Sequence, residues 1–132
     1  MIRIRHSSRS GLAIEGSVAE LTSLHDEVMR LVARGEGQLS VSADTAGDPA
    51  PYAAFMGRLV IETGSGATVV EVIEPDGVRI SASPANLDRL ASFIQVPADA
   101  TAGWHTHYEY HPGNPSIAPR SMPVVFSLRS QA

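Results

Sequence analysis

The hydrophobic and polar residues of this chain alternate with two different periods, and the longer period predicts two helices. In two stretches, apolar side chains recur every three or four residues, which is typical of helices buried on one side. Each stretch also begins with a helix-start signal. Ser17 with Glu20 forms a capping-box pattern, and Ser83 stands directly before a proline at the first helical position. The predicted helices span residues 18–34 and 84–95.

The shorter period, of two residues, predicts strands. Branched and aromatic side chains alternate with polar ones in short runs that are bounded by Gly, Pro, Asp and Ser. Asp76 followed by Gly77 is a tight hairpin signal between two of these runs. The eight predicted strands cover residues 2–5, 11–15, 38–42, 58–62, 68–74, 77–81, 103–110 and 123–128.

The order of these elements repeats in the two halves of the chain. At an offset of 66 residues, six apolar or capping positions coincide without a gap, among them Ile14 with Ile80, which indicates a duplication. We predict one α+β domain over residues 1–132, built from a tandem ββαββ duplication of residues 1–66 and 67–132. Two helices would cover one face of a two-layer, largely antiparallel sheet. The second face would be solvated or covered by another chain.

Composition and charge narrow the class of protein. The 132 residues, 43% of them hydrophobic, are enough for one domain with a proper core. The net charge of -4 argues against direct binding of nucleic acid and suits a small molecule or a basic protein partner. No window has the length and apolarity of a membrane span, and the start lacks the apolar segment of a signal peptide. We therefore expect a cytoplasmic protein of bacterial type with no membrane partner.

The residue types that are missing limit the chemistry. Because the chain has no cysteine, a metal ion would need His, Asp or Glu ligands. All ten basic residues are arginine. Without lysine, neither Schiff-base chemistry nor a P-loop phosphate site is available.

The distinctive side chains are concentrated in one predicted strand and the turn after it. Three of the five histidines, two of the three tyrosines and the only tryptophan lie within residues 104–111. Successive side chains of a strand point to opposite sides, so the imidazoles and a carboxylate share one face and the aromatic rings share the other. The candidate binding residues of this segment are Trp104, His105, His107, Tyr108, Glu109, Tyr110, His111 and Asn114.

Three uses of this strand stay open. Imidazoles two residues apart, about 7 Å along a strand, can chelate one ion. His105 and His107, with Glu109 as third ligand or general base, would then hold a divalent metal such as zinc in a metal-dependent, hydrolase-like enzyme. Alternatively, the strand is a protein-binding surface without cofactor, since His and aromatic side chains offer large contact areas at low entropic cost. A homodimer that buries this face is the third use.

The face that carries the histidines depends on how the two halves align. Without a gap, His105 and His107 align with the apolar Leu39 and Val41 and would point toward the helices. A shift of one residue exchanges the two faces of a strand. Burial is more favourable for the aromatic side chains than for the imidazoles. We therefore predict the shifted register, with the histidines on the open face.

Two separated blocks carry a family resemblance that covers roughly two thirds of the chain. In residues 11–34 a strand ending in Glu15, Gly16 and Ser17 leads into a leucine-rich helix, and residues 105–110 and 115–125 form the second block. These blocks resemble the immunity protein 32 family of bacterial polymorphic toxin systems. The resemblance implies a small α+β immunity protein that neutralises a nuclease toxin by direct binding, and it implies no catalytic set. We therefore favour a non-enzymatic protein-binding module over an enzyme, and a basic toxin would complement its acidic charge.

Overall fold

A computed structural model describes residues 1–129 and confirms an α+β fold. Both helices and eight of the nine strands found in this range lie where the sequence predicts them, and β4 is the addition. In chain order the elements are β1 (Arg3–Ser7), β2 (Gly11–Gly16), α1 (Val18–Arg34), β3 (Gln38–Ser42), β4 (Ala54–Met56), β5 (Arg58–Thr63), β6 (Val69–Ile73), β7 (Gly77–Ala82), α2 (Pro84–Ile94), β8 (His105–Tyr108) and β9 (Val124–Leu128).

The strands are divided between two mixed sheets, whereas the sequence predicts one sheet. The five-stranded sheet has the order β4-β1-β2-β9-β8 and the four-stranded sheet the order β3-β5-β7-β6. Most pairs are antiparallel, as predicted, but β2 with β9 and β5 with β7 are parallel. Each parallel pair joins a strand of the first half of the chain to one of the second half. Such long-range pairs leave no local signal in a sequence.

The two sheets follow the same plan. The order β1-β2-β9-β8 in one sheet corresponds to β6-β7-β5-β3 in the other, with antiparallel outer pairs around a parallel central pair. The first residues of β2 and β7, Gly11 and Gly77, are 66 positions apart, as are the first residues of the two helices. This correspondence supports the tandem ββαββ duplication, which stays a prediction.

Local signals fix the ends of both helices. The Ser17 hydroxyl accepts a hydrogen bond from the Glu20 amide at 3.1 Å, and the Glu20 carboxylate accepts one from the Ser17 amide at 2.9 Å. Helix α1 ends at Gly35, whose φ of 79° is left-handed. Helix α2 begins after Ser83, whose hydroxyl accepts a hydrogen bond from the Asn86 amide at 3.3 Å. Neither helix in the described range is long and apolar enough to cross a bilayer.

The core joins all layers of the molecule. The two helices pack against each other, and each also contacts strands of both sheets. Their apolar sides and the inward sides of the strands form one buried cluster, in which Tyr108 and Phe126 are the largest fully buried side chains. Removal of this apolar area from water is the main source of stability. Residues from both halves are therefore held by a shared core.

The loop that follows β8 is held against the free edge of β6. Thr68 forms a parallel bridge with Ile117, and its amide donates a hydrogen bond to the Ser116 carbonyl at 2.8 Å. The Val70 amide donates one to the Ser121 hydroxyl at 2.9 Å. Both serines are buried. They therefore shape and anchor the loop, and the loop in turn protects an edge strand that would otherwise expose unpaired amides.

Candidate functional site

The histidines lie on the outermost strand of the five-stranded sheet. Strand β8 pairs antiparallel with β9, which places His105 opposite Ser127 and His107 opposite Val125. Both imidazoles are exposed, whereas Tyr108 is only 1% exposed. The prediction that the histidines occupy the open face is therefore confirmed, and the aromatic face of the strand points into the core.

The imidazoles of His105 and His107 are neighbours. Their ring centroids are 5.1 Å apart with the planes at 82°. The Nδ1 atom of His105 lies 3.0 Å from the Gly103 carbonyl oxygen. This contact favours the tautomer whose proton is on Nδ1, which leaves Nε2 available as a ligand or hydrogen-bond acceptor.

Glu109 does not join the two imidazoles. It lies one residue beyond the end of β8, and a straight strand carries it about 14 Å from His105. Within residues 1–129, no group of three or more His, Asp or Glu side chains is arranged to hold a metal ion. The structure thus brings together two of the three predicted ligands, whereas a catalytic zinc site ordinarily takes three protein ligands.

Tyr108 is an internal anchor of the strand. Its hydroxyl donates a hydrogen bond to the Thr68 hydroxyl oxygen at 2.7 Å, and its ring meets Phe93 edge-on with centroids 4.9 Å apart. Burial raises the pKa of the Tyr108 phenol, which keeps this group protonated as a donor. The sequence places Tyr108 among the binding residues, but its burial leaves no surface for a partner. Its contacts instead fix β8 to helix α2 and to the chain before β6.

The other predicted residues lie at the surface around this anchor. Trp104 and Tyr110 are partly buried and pack against the core, while His111 is exposed. The Asn114 side-chain oxygen accepts a hydrogen bond from the Ser116 amide at 2.9 Å, which stabilises a turn in the loop. The loop therefore presents its side chains from a defined backbone.

Two clefts adjoin Asn114 and Ile117, which line both of them. The apolar cleft has a volume of about 480 Å³ and lies among loop residues that include Tyr110 and Pro115. The arginine cleft has a volume of about 220 Å³ and lies between the loop and helix α2, where Arg89 lines it. The fold thus forms a continuous recessed surface from residues that are distant in sequence.

Among residues 1–129, Arg89 is the only charged residue that lines either cleft. It is exposed and forms no ion pair with any residue in the range 1–129. Some other arginines are neutralised within the chain: Arg5 pairs with Glu15 at 3.1 Å, and Arg79 pairs with Glu71. The sequence offers no signal for Arg89, because an exposed arginine on a helix is ordinary. Only the packing of the loop against α2 places it beside a cleft.

The fold and this surface define a small α+β protein with paired imidazoles and a recessed loop surface on its second half. Residues 77–128 match the family model described as Immunity protein 32. The resemblance to that family is therefore confirmed for this part of the chain, which is less than half of its length and excludes the predicted block at residues 11–34. Comparisons with curated proteins and with solved structures find no match.

Proposed function

We propose that this protein is a non-enzymatic immunity protein that neutralises a bacterial toxin of the nuclease type by direct binding in the cytoplasm. One observation carries the proposal. The segment that matches Immunity protein 32, residues 77–128, contains strand β8, the loop after it and Arg89. The family-matched part of the chain is thus also the part that carries the exposed imidazoles and lines most of both clefts.

The surface has properties that favour protein recognition. The apolar cleft can accept an anchoring side chain, and His107 and His111, on the same family-matched segment, expose polar imidazoles that can contact a partner. The hydrogen bond from Tyr108 to Thr68 holds the strand and the loop in place before a partner arrives. A preorganised surface loses less entropy on binding.

The charge of the whole chain and the charge of the clefts act at different ranges. The net charge of -4 would attract a basic toxin over long distances and raise the association rate. At contact, the groups that line the clefts decide which side chains are accepted. The net charge therefore bears on how fast a basic toxin associates. The residues that the toxin places in the clefts depend on the cleft lining instead.

The test starts from the reading frame beside the gene for this chain. Its toxin domain would be co-expressed with this protein, and growth and calorimetric affinity would be measured. We expect restored growth and a one-to-one complex, weakened at least tenfold when His107→Ala and His111→Ala are combined, which is about 1.4 kcal/mol. His25→Ala is the matched control because His25 lies on helix α1, outside both clefts, with its imidazole 3.0 Å from the carboxylate of its neighbour Asp26.

Three outcomes would count against the proposal. One is the absence of any complex at micromolar concentrations of the toxin, and another is an equal loss of affinity in the His25→Ala control. The third is a solution mass of two chains that falls to one chain on replacement of Trp104. That result would favour a homodimer that buries this surface.

A further inference from the structure

We propose that the two clefts bind an extended segment of the partner protein in which an apolar side chain lies close to a carboxylate. The apolar side chain would occupy the cleft beside Tyr110, and the carboxylate would pair with Arg89. This inference rests on the proposed function only in assigning the segment to a toxin. The site itself follows from the residues that line the clefts.

The apolar cleft is a shallow, open groove with a restricted backbone. Its volume is about 480 Å³. Pro115 and Pro119 line it and restrict its backbone, and the bridge between Ile117 and Thr68 fixes its floor. No charged side chain in the described part of the chain lines it. An apolar side chain would therefore be partly desolvated there without burying an unpaired charge.

The arginine cleft can accept a negative charge. The guanidinium of Arg89 can bind a carboxylate through two parallel hydrogen bonds. No carboxylate of residues 1–129 lines the cleft, so this part of the chain does not neutralise the guanidinium. Arg79 is the contrasting case, because its guanidinium already forms ion pairs with Glu71 and Glu62 on the neighbouring strands.

The two requirements are close together. Asn114 and Ile117 line both clefts, so one short segment can reach both. In an extended chain, side chains two residues apart lie on the same side at a separation of about 7 Å. A segment with an apolar residue followed or preceded at the second position by Asp or Glu would therefore present both groups on one side. This acidic preference is opposite to the one that the net charge of -4 would suggest.

The test uses a blocked peptide of alternating leucine and aspartate as the probe, with an asparagine analogue for comparison. Binding to the full chain would be followed through the amide resonances of Arg89, Asn114 and Ile117. We expect the acidic peptide to bind at least tenfold more tightly than its asparagine analogue at low salt, and salt to reduce this ratio. Arg89→Gln should abolish the preference. Arg58→Gln is the matched control, since Arg58 is exposed and unpaired in the described range but lies on the four-stranded sheet.

Several outcomes would overturn the inference. The two peptides could bind equally, or the amide resonances that shift could all lie on another surface. A single-stranded oligothymidylate could shift the same amide resonances and bind more tightly. The resonances could also shift on dilution of the protein alone, which would indicate that a second copy of this chain covers the clefts. Toxin neutralisation that survives Arg89→Gln, together with no peptide preference, would overturn this inference and leave the proposed function intact. A peptide preference that depends on Arg89, in a protein that binds no neighbouring toxin, would support the site and contradict the proposed function.

Discussion

Replacing Tyr108 with phenylalanine tests whether the strand of histidines is held from within. The variant keeps the ring against Phe93 and removes only the hydroxyl that donates to Thr68 at 2.7 Å. Thr68 is 0% exposed, so its oxygen loses a partner that water cannot readily replace. We expect the free energy of unfolding to fall by about 1 to 2 kcal/mol and the melting temperature by about 4 to 8 °C.

The contribution of the hydrogen bond itself comes from a double-mutant cycle with Thr68→Val. Each single change leaves one buried polar group unpaired, whereas the double change removes both groups. Urea unfolding should therefore give a coupling energy of about 1 kcal/mol between Tyr108 and Thr68. Tyr110→Phe is the control, because the Tyr110 hydroxyl forms no hydrogen bond within residues 1–129. Additive effects in the cycle would refute the anchoring role.

The same pair predicts a pH dependence with a definite sign. Burial raises the pKa of Tyr108 in the folded protein, so the folded state prefers the protonated phenol more than the unfolded state does. The stability due to this preference is fully present below the unfolded pKa of about 10 and is lost as pH rises above it. The stability difference between the wild type and Tyr108→Phe should therefore narrow above pH 10. A difference that widens there would contradict the argument.

Three further measurements test other parts of the molecule. Glu20→Gln should cost about 1 to 2 kcal/mol at pH 7. Burial raises the pKa of Glu20, but hydrogen bonds and a nearby arginine lower it to about 2. The stability lost on Glu20→Gln should therefore become smaller as pH drops from 4.5 toward 2. The control variant Glu27→Gln should change stability little. Gly11→Ala should destabilise more than Gly35→Ala in urea unfolding, because both have positive φ but only at Gly11 would a Cβ lie 2.6 Å from a carbonyl oxygen. Elemental analysis of untagged protein should show less than one equivalent of zinc, and a full equivalent lost on His105→Ala would contradict the two-imidazole geometry.

The sequence predicts best those features whose causes are local. The start of α1 follows from the capping box of Ser17 and Glu20, and its end follows from Gly35. Each signal lies within one turn of the helix end that it fixes. The face of β8 also follows from local composition, because aromatic side chains lose more than imidazoles when they are exposed to water. Both features depend on interactions between residues close in the chain, which a single sequence displays directly.

Features that depend on distant residues could not be predicted in this way. The division into two sheets follows from two parallel pairs between the halves, and neither pair has a local signature. The hydrogen bond that anchors Tyr108 requires Thr68, 40 residues away. Arg89 meets the loop at Asn114 only because α2 packs beside β8. The strand could therefore be identified as distinctive, but its anchor and the cleft next to it required the fold.

The two halves differ where the proposed surface lies. If the halves are aligned with the shifted register of β8, Glu27 and Val41 occupy the positions of Phe93 and Tyr108. The first half has an open cleft of about 320 Å³ between α1 and β3. In the second half Phe93 and Tyr108 line the smaller arginine cleft, of about 220 Å³, and the tyrosine is held by its hydrogen bond to Thr68. The second half is thus braced by an internal anchor, and the family match lies within that half. A rigid support beneath an exposed strand lowers the entropic cost of binding, so this difference between the halves favours recognition by the second half.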